Sequence, residues 1–152
     1  MRKFLISLAA VAAVTAATPA LANEGRVDLH GGLVWAGGDS EATAGVAAGY
    51  DWDMGSSGFF GIEGSADQVL VDGADPYFGL SGRIGGKVAG GKGKLYAVGG
   101  YTFGEGEDSP HAGVGYEHML GAKVYGKVEY RHFFVDDLED LNAAVIGVGI
   151  RF

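Results

Sequence analysis

Four histidines, His30, His111, His118 and His132, are the side chains best suited to proton transfer or metal ligation. They fall on three predicted strands, with His111 and His118 at opposite ends of one. None has the i, i+2 or i, i+4 spacing of a ligand pair, so no metal site is expected. Serine-based acyl transfer needs a Ser beside a His, or a comparable triad. The serines after the first 22 residues are Ser40, Ser56, Ser57, Ser65, Ser81 and Ser109. Ser109 alone lies near a histidine in sequence, His111, while Ser65 and Ser81 are candidates for an enclosed face. No complete constellation assembles, so the chain is expected to be no enzyme, with no catalytic residue and no cofactor. Gly86-Lys87-Val88-Ala89-Gly90-Gly91-Lys92 imitates the GxxxxGK phosphate loop. Gly93 stands where that loop requires Ser or Thr and no helix is expected to follow, so the segment reads as a turn. Asp136-Asp137-Leu138-Glu139-Asp140 gathers carboxylates that could meet a divalent cation, although such spacing does not by itself define a Ca²⁺ loop.

The remaining charged residues are informative through the elements that must hold them. The sequence after residue 22 reads as short stretches alternating with period two, broken by Gly, Asp, Ser or Pro, which is a strand-and-turn pattern. Eight strands are predicted, at 25–36, 43–53, 58–68, 76–87, 94–104, 111–119, 123–134 and 143–152. The last is clearest: Ala144, Ile146, Val148, Ile150 and Phe152 share one face, and Val145, Gly147, Gly149 and Arg151 the other. The third is untidy, because Val69-Leu70-Val71 runs on without alternation. Charged residues share a face with many glycines, while medium and large apolar residues occupy the opposite face. A soluble barrel places its larger apolar residues inside. The inverse arrangement, apolar to lipid and polar to a tight interior, describes a membrane barrel, and only a closed barrel can span lipid with strands. Parity then assigns Asp28, His30, Asp51, Glu63, Asp67, Arg83, Lys87, Glu117, Lys127, Glu129, Arg131 and Arg151 to the lumen. Asp28, Glu63, Arg83, Glu117, Lys127, Glu129 and Arg131 form the expected lumen charge network. Tyr77, Tyr96, Tyr125, Phe59 and Phe133 point inward with them.

Composition agrees with this reading. The chain has 152 residues, 29 of them Gly, and a hydrophobic fraction of 47% that argues against disorder. It has no Cys, which excludes a disulfide scaffold, thiolate metal sites and a cysteine nucleophile. Met1–Ala22 reads as a cleaved signal peptide: Arg2 and Lys3, an apolar stretch from Phe4 to Ala17, then Pro19 and the small-x-small site Ala20-Leu21-Ala22. Residues 23–152 would form one barrel domain. Losing Arg2 and Lys3 leaves 9 of the 11 basic residues against 19 acidic ones, a net charge of −10, which disfavours nucleic acid as a partner.

Two further patterns run along the barrel axis. With the mature N-terminus on the inner side, outward-facing Trp35, Phe78, Phe103 and Phe134 lie at the outer strand ends. Trp52, Phe60, Tyr116 and Phe152 lie at the inner ends, so two aromatic girdles are expected. The predicted outer loops hold Asp39, Glu41, Asp72, Asp75, Glu105, Glu107, Asp108, Asp136, Asp137, Glu139 and Asp140, with no Lys or Arg. Asp136, Asp137, Glu139 and Asp140 are the densest part of this acidic rim, which reads first as a solvated surface. Lys92, Lys94 and Lys123 lie at the opposite end.

The signal peptide, the terminal strand Ala143–Phe152 ending on Phe152, and Lys127-Val128-Glu129-Tyr130-Arg131-His132-Phe133 together resemble the small outer-membrane β-barrel proteins of Gram-negative bacteria, in particular the opacity-protein-like family. The resemblance covers the whole mature chain as a pattern. It implies an all-β fold, an eight-stranded antiparallel up-and-down transmembrane β-barrel with short loops, located in the cell outer membrane. It also implies that outer-membrane lipid is a partner and that the Phe152 strand is read by the outer-membrane assembly machinery. A monomer is expected. Many members of that family have long adhesive surface loops, whereas the loops predicted here have roughly 6–10 residues.

The expected function is structural: a non-catalytic barrel with a structural or surface role in the cell envelope. One alternative is a small porin passing ions or very small solutes. Another is a cation- or partner-binding surface protein acting through the acidic outer loops. A closed, ion-paired lumen favours the first, because an eight-stranded barrel is only wide enough for its own side chains and a buried unpaired charge is costly. Val148→Arg is expected to damage the barrel, and Gly147→Ala to be milder provided the lumen has room.

Overall fold

The computed structural model describes residues 23–104, 108–135 and 140–152. The signal peptide expected over 1–22 lies outside them, as do Glu105, Glu107, Asp136, Asp137 and Glu139 of the acidic rim. Alternation produces the expected result. Eight strands, β1 (Glu24–Ala36), β2 (Asp39–Met54), β3 (Gly58–Val69), β4 (Tyr77–Val88), β5 (Gly93–Phe103), β6 (Ser109–Met119), β7 (Val124–Phe133) and β8 (Leu141–Arg151), pair antiparallel in chain order and close β8 onto β1. Closure leaves no free edge. Arg26 stands opposite Arg151, and Leu29 opposite Val148. Just below, Gly25 and Phe152 exchange both main-chain hydrogen bonds at 2.9 Å. No helix among the described residues is long and apolar enough to cross a membrane.

Strand β2 corrects one expectation. It begins at Asp39 rather than residue 43, so Asp39 and Glu41 belong to the strand, not to a loop. The β1–β2 connection is Gly37-Gly38 alone, with φ of 55° and 108°. Positive φ at both central positions is what a tight hairpin turn demands, and glycine supplies it without steric cost. The untidy run after β3 is also explained: the strand stops at Val69, and Leu70 and Val71 lie exposed in the following loop. The apparent phosphate loop is the end of β4 and the turn into β5, with Gly90 and Gly91 at φ 66° and 88°.

The two faces of the wall differ in size as well as polarity. Ile146 is 70% exposed, and Leu29 and Leu80 are each 61% exposed, on the outside. Phe59 and Tyr125 are fully enclosed inside. Large inward rings need inward glycines beside them. A Cβ on Gly149 would lie 2.5 Å from the Tyr125 ring, and one on Gly115 would overlap the Tyr96 ring. These aromatic-over-glycine contacts pack a narrow interior without bending the strands apart. At the wall's rims, Phe78 stands opposite Phe103 at one end. At the other, Trp52 stacks on Phe60 at 5.2 Å.

Candidate functional site

Inward parity on eight short strands brings residues distant in sequence onto one axis. Among the described residues, five buried cations, Arg26, Arg83, Lys94, Lys127 and Arg151, share the lumen with five buried carboxylates, Asp28, Asp51, Glu63, Glu117 and Glu129. Half-buried Arg131 completes the set.

The tier nearest the chain termini centres on Arg83. Its Nε and Nη2 donate to the two oxygens of Asp51 at 2.8 and 2.5 Å, and its Nη1 donates to Glu117. Arg151 Nη2 donates to the second Glu117 oxygen at 2.7 Å. Lys94 Nζ bridges Asp51 at 2.7 Å and Glu24 at 2.6 Å. The guanidinium of Arg83 lies 4.6 Å from the Tyr96 ring centre and 5.2 Å from that of Phe59, so aromatic faces flank the cation. Lys87 and Asp53 pair at 2.6 Å at the rim below.

The middle tier joins Arg26 Nη1 to Glu63 at 2.5 Å, and Glu63 in turn accepts from Arg131 Nη2 at 2.5 Å. Glu129 accepts from Arg131 Nε and from the Tyr96 hydroxyl, both at 2.6 Å. Asp28 meets Lys127 Nζ at 2.8 Å and accepts from the Tyr125 hydroxyl at 3.0 Å. Arg26 Nε lies 3.5 Å from Asp51, which links this tier to the one below. The seven residues of the expected charge network are therefore all enclosed and in contact with opposite charge. Lone buried charges would cost several kcal/mol each, and each ion here has a partner.

Toward the other end, His30 bridges Asp28 at 3.0 Å and Asp67 at 2.6 Å. Beyond it opens a small hollow of about 20 Å³ between Thr43, Ser65, Asp67, Tyr77 and Arg131 and the apolar side chains of Phe133 and Val145. That is room for about one water molecule.

Three charged residues of the ion-pair network escaped the sequence reading: Arg26, Lys94 and Glu24. Arg26 shares the parity of Asp28 and His30 and is completely buried. Lys94 looked like a strand-end charge beside a turn, yet it shares the parity of Tyr96 and is buried against Asp51 and Glu24. Parity was the available signal for both. Glu24 lies just ahead of the predicted start of the first strand. The serine–histidine pairing differs from sequence proximity too. Ser109 and His111 both face inward, but His111 Nε2 meets Ser81 Oγ at 2.8 Å and its Nδ1 meets Thr102 at 2.9 Å. Among the described residues no carboxylate is hydrogen-bonded to that histidine, and Ser81 is buried. The other two histidines face outward: His118 contacts the Tyr116 hydroxyl at 2.8 Å, and His132 contacts Asn142 at 2.9 Å. Among the described residues, no cluster of three His, Asp or Glu side chains is arranged to hold a metal ion.

Comparison with known proteins places this barrel. The family model for the outer membrane protein beta-barrel domain matches residues 6–152. No curated protein matches the sequence. Among solved structures, Neisserial surface protein A is 12% identical with a TM-score of 0.67, over 88% of this chain and 98% of that one. The N-terminal β-barrel domain of Pseudomonas aeruginosa OprF is 12% identical with a TM-score of 0.61, over 84% and 97%. Ail, the attachment invasion locus protein of Yersinia pestis, solved with the heparin analogue sucrose octasulfate, is 16% identical with a TM-score of 0.61, over 87% and 100%. At such identities the likeness is one of fold. With the family match spanning nearly the whole sequence, the chain belongs to the outer membrane protein beta-barrel domain family and resides in the outer membrane of a Gram-negative envelope.

Proposed function

We propose that the protein is a monomeric, non-catalytic structural barrel whose lumen is plugged by its own ion pairs and passes no ions. The observation carrying this reading is the continuous contact chain from Asp67 through His30, Asp28, Arg26 and Asp51 to Lys94 and Glu24. Aromatic rings of Phe59, Tyr96 and Tyr125 fill the space between these groups. An ion crossing the barrel would have to break several buried pairs and replace their partners, which is costly in a low-dielectric interior. Non-catalysis is supported by the enclosure of Ser81 and by the Thr102 hydroxyl occupying the place of an orienting acid on His111.

In the cell, such a barrel contributes a rigid wall element and a short outer surface. Assembly begins when β8 and the Phe152 that follows it are recognised by the assembly machinery. Planar-bilayer recording tests the reading. Pure, heat-modifiable protein gives no conductance steps, whereas reproducible steps of one amplitude would favour the porin alternative.

A further inference from the structure

The lipid-facing wall carries a groove that the barrel's own packing does not require. Its floor is Ala48 on β2 and Gly64 on β3, which stand opposite each other. Tyr50 and Ile62, the next outward pair, and Leu80, opposite Gly64 on β4, form its sides. The hollow measures about 180 Å³ and is almost wholly apolar. Ile62 is 53% exposed, so this side of the groove stands proud of the floor.

The floor glycine differs from its inward neighbours. A Cβ on inward Gly61 would lie 2.7 Å from the Tyr50 carbonyl oxygen, so that position must be glycine. A Cβ on Gly64 would find its nearest neighbour, the Gly79 carbonyl oxygen, at 4.0 Å. A larger residue would fit the fold and fill the hollow. A bare floor between tall sides suits a slender occupant that lies along it.

We propose that this groove holds one acyl chain of a glycerophospholipid from the inner leaflet of the outer membrane. The groove is continuous with the lipid-facing surface. It sits directly above the stacked pair Trp52 and Phe60 of the inner aromatic girdle, and the Tyr50 ring lies 5.0 Å from Trp52. That girdle marks the headgroup level, so a lipid seated there would send its chain between Tyr50, Ile62 and Leu80. A run of methylenes can reach the floor by dispersion contact along its length. This proposal rests on the membrane placement and not on the plugged lumen, so conductance has no bearing on it.

Native mass spectrometry of the membrane-extracted protein, with palmitoyl-oleoyl phosphatidylethanolamine added to the detergent, tests it. The unaltered protein should retain one phospholipid. Gly64→Leu, which fills the floor, should lose it. Leu80→Ala, which removes a side, should lower the retained fraction even if Gly64→Leu folds poorly. Gly126→Leu, on the opposite wall, should retain the lipid; a Cβ there has the Leu120 side chain, at 3.4 Å, as its nearest neighbour. Folding of each variant is read by its heat-dependent shift on electrophoresis. Absence of lipid from the unaltered protein would overturn the proposal. So would retention in both groove variants equal to that of the unaltered protein, or a two-chain species that Gly64→Leu abolishes.

Discussion

Arg83 on β4 and Asp51 on β2 meet in a two-pronged ion pair inside the barrel, with Nε and Nη2 donating at 2.8 and 2.5 Å, although 32 residues separate them in sequence. The same guanidinium reaches Glu117 on β6. One cation thus ties together three strands that are not adjacent around the wall. Such a pair stabilises little relative to apolar residues of matching shape, but it is costly to break from one side.

Removing Arg83 alone tests that asymmetry. Arg83→Leu leaves Asp51 and Glu117 short of a partner and should lower stability by about 3–5 kcal/mol. Urea unfolding in lipid vesicles measures it. Combining Arg83→Leu with Asp51→Leu should recover part of the loss, since the double change removes an orphaned charge. A double variant no better than the single one would show that the pair does not act as a unit.

Val148→Arg probes the other face. Val148 is about half exposed on the wall and stands opposite Leu29. A charge at mid-depth against lipid should cost about 2–4 kcal/mol. The refolded fraction in vesicles, followed by electrophoresis without boiling, reads the effect. Tolerance equal to that of a loop variant would contradict lipid contact at this position.

Gly147→Ala is no longer expected to be mild. The lumen lacks the room that would make it so: a Cβ there would lie 2.8 Å from the Leu29 carbonyl oxygen and 2.9 Å from the His30 side chain. Overpacking of this kind typically costs about 1–3 kcal/mol. Equilibrium unfolding of Gly147→Ala beside Gly64→Ala separates the faces, because only the inward change should destabilise.

Gly149→Ala extends the same logic to a ring contact. The added methyl would strike Tyr125, whose hydroxyl donates to Asp28 at 3.0 Å. The ring must move and that hydrogen bond must lengthen or break. A double-mutant cycle with Tyr125→Leu should show coupling of about 0.5–3 kcal/mol between the two positions. Strict additivity would mean that the ring does not rest on Gly149.

Strand number, strand face and membrane placement were legible in the sequence, because a period of two is a local property that alternation states directly. Val124 to Phe133 and Ala143 to Arg151 declared their inside and outside residue by residue. Boundaries were read less well where polarity misled, as at Asp39 and Glu41, which are acidic yet belong to β2. Partner choice was not legible at all. Ser109 and His111 are neighbours in sequence, but His111 is held by Thr102 on the adjoining β5 and by Ser81 one strand further on, in β4. Arg83 could have met any enclosed carboxylate. Which one it meets depends on the register of seven hairpin pairings and on the closure of β8 against β1, and those are set only when the whole sheet has curled and sealed. Alternation along the chain therefore determined what lies inside, and closure of the barrel decided which of those charges neutralise one another.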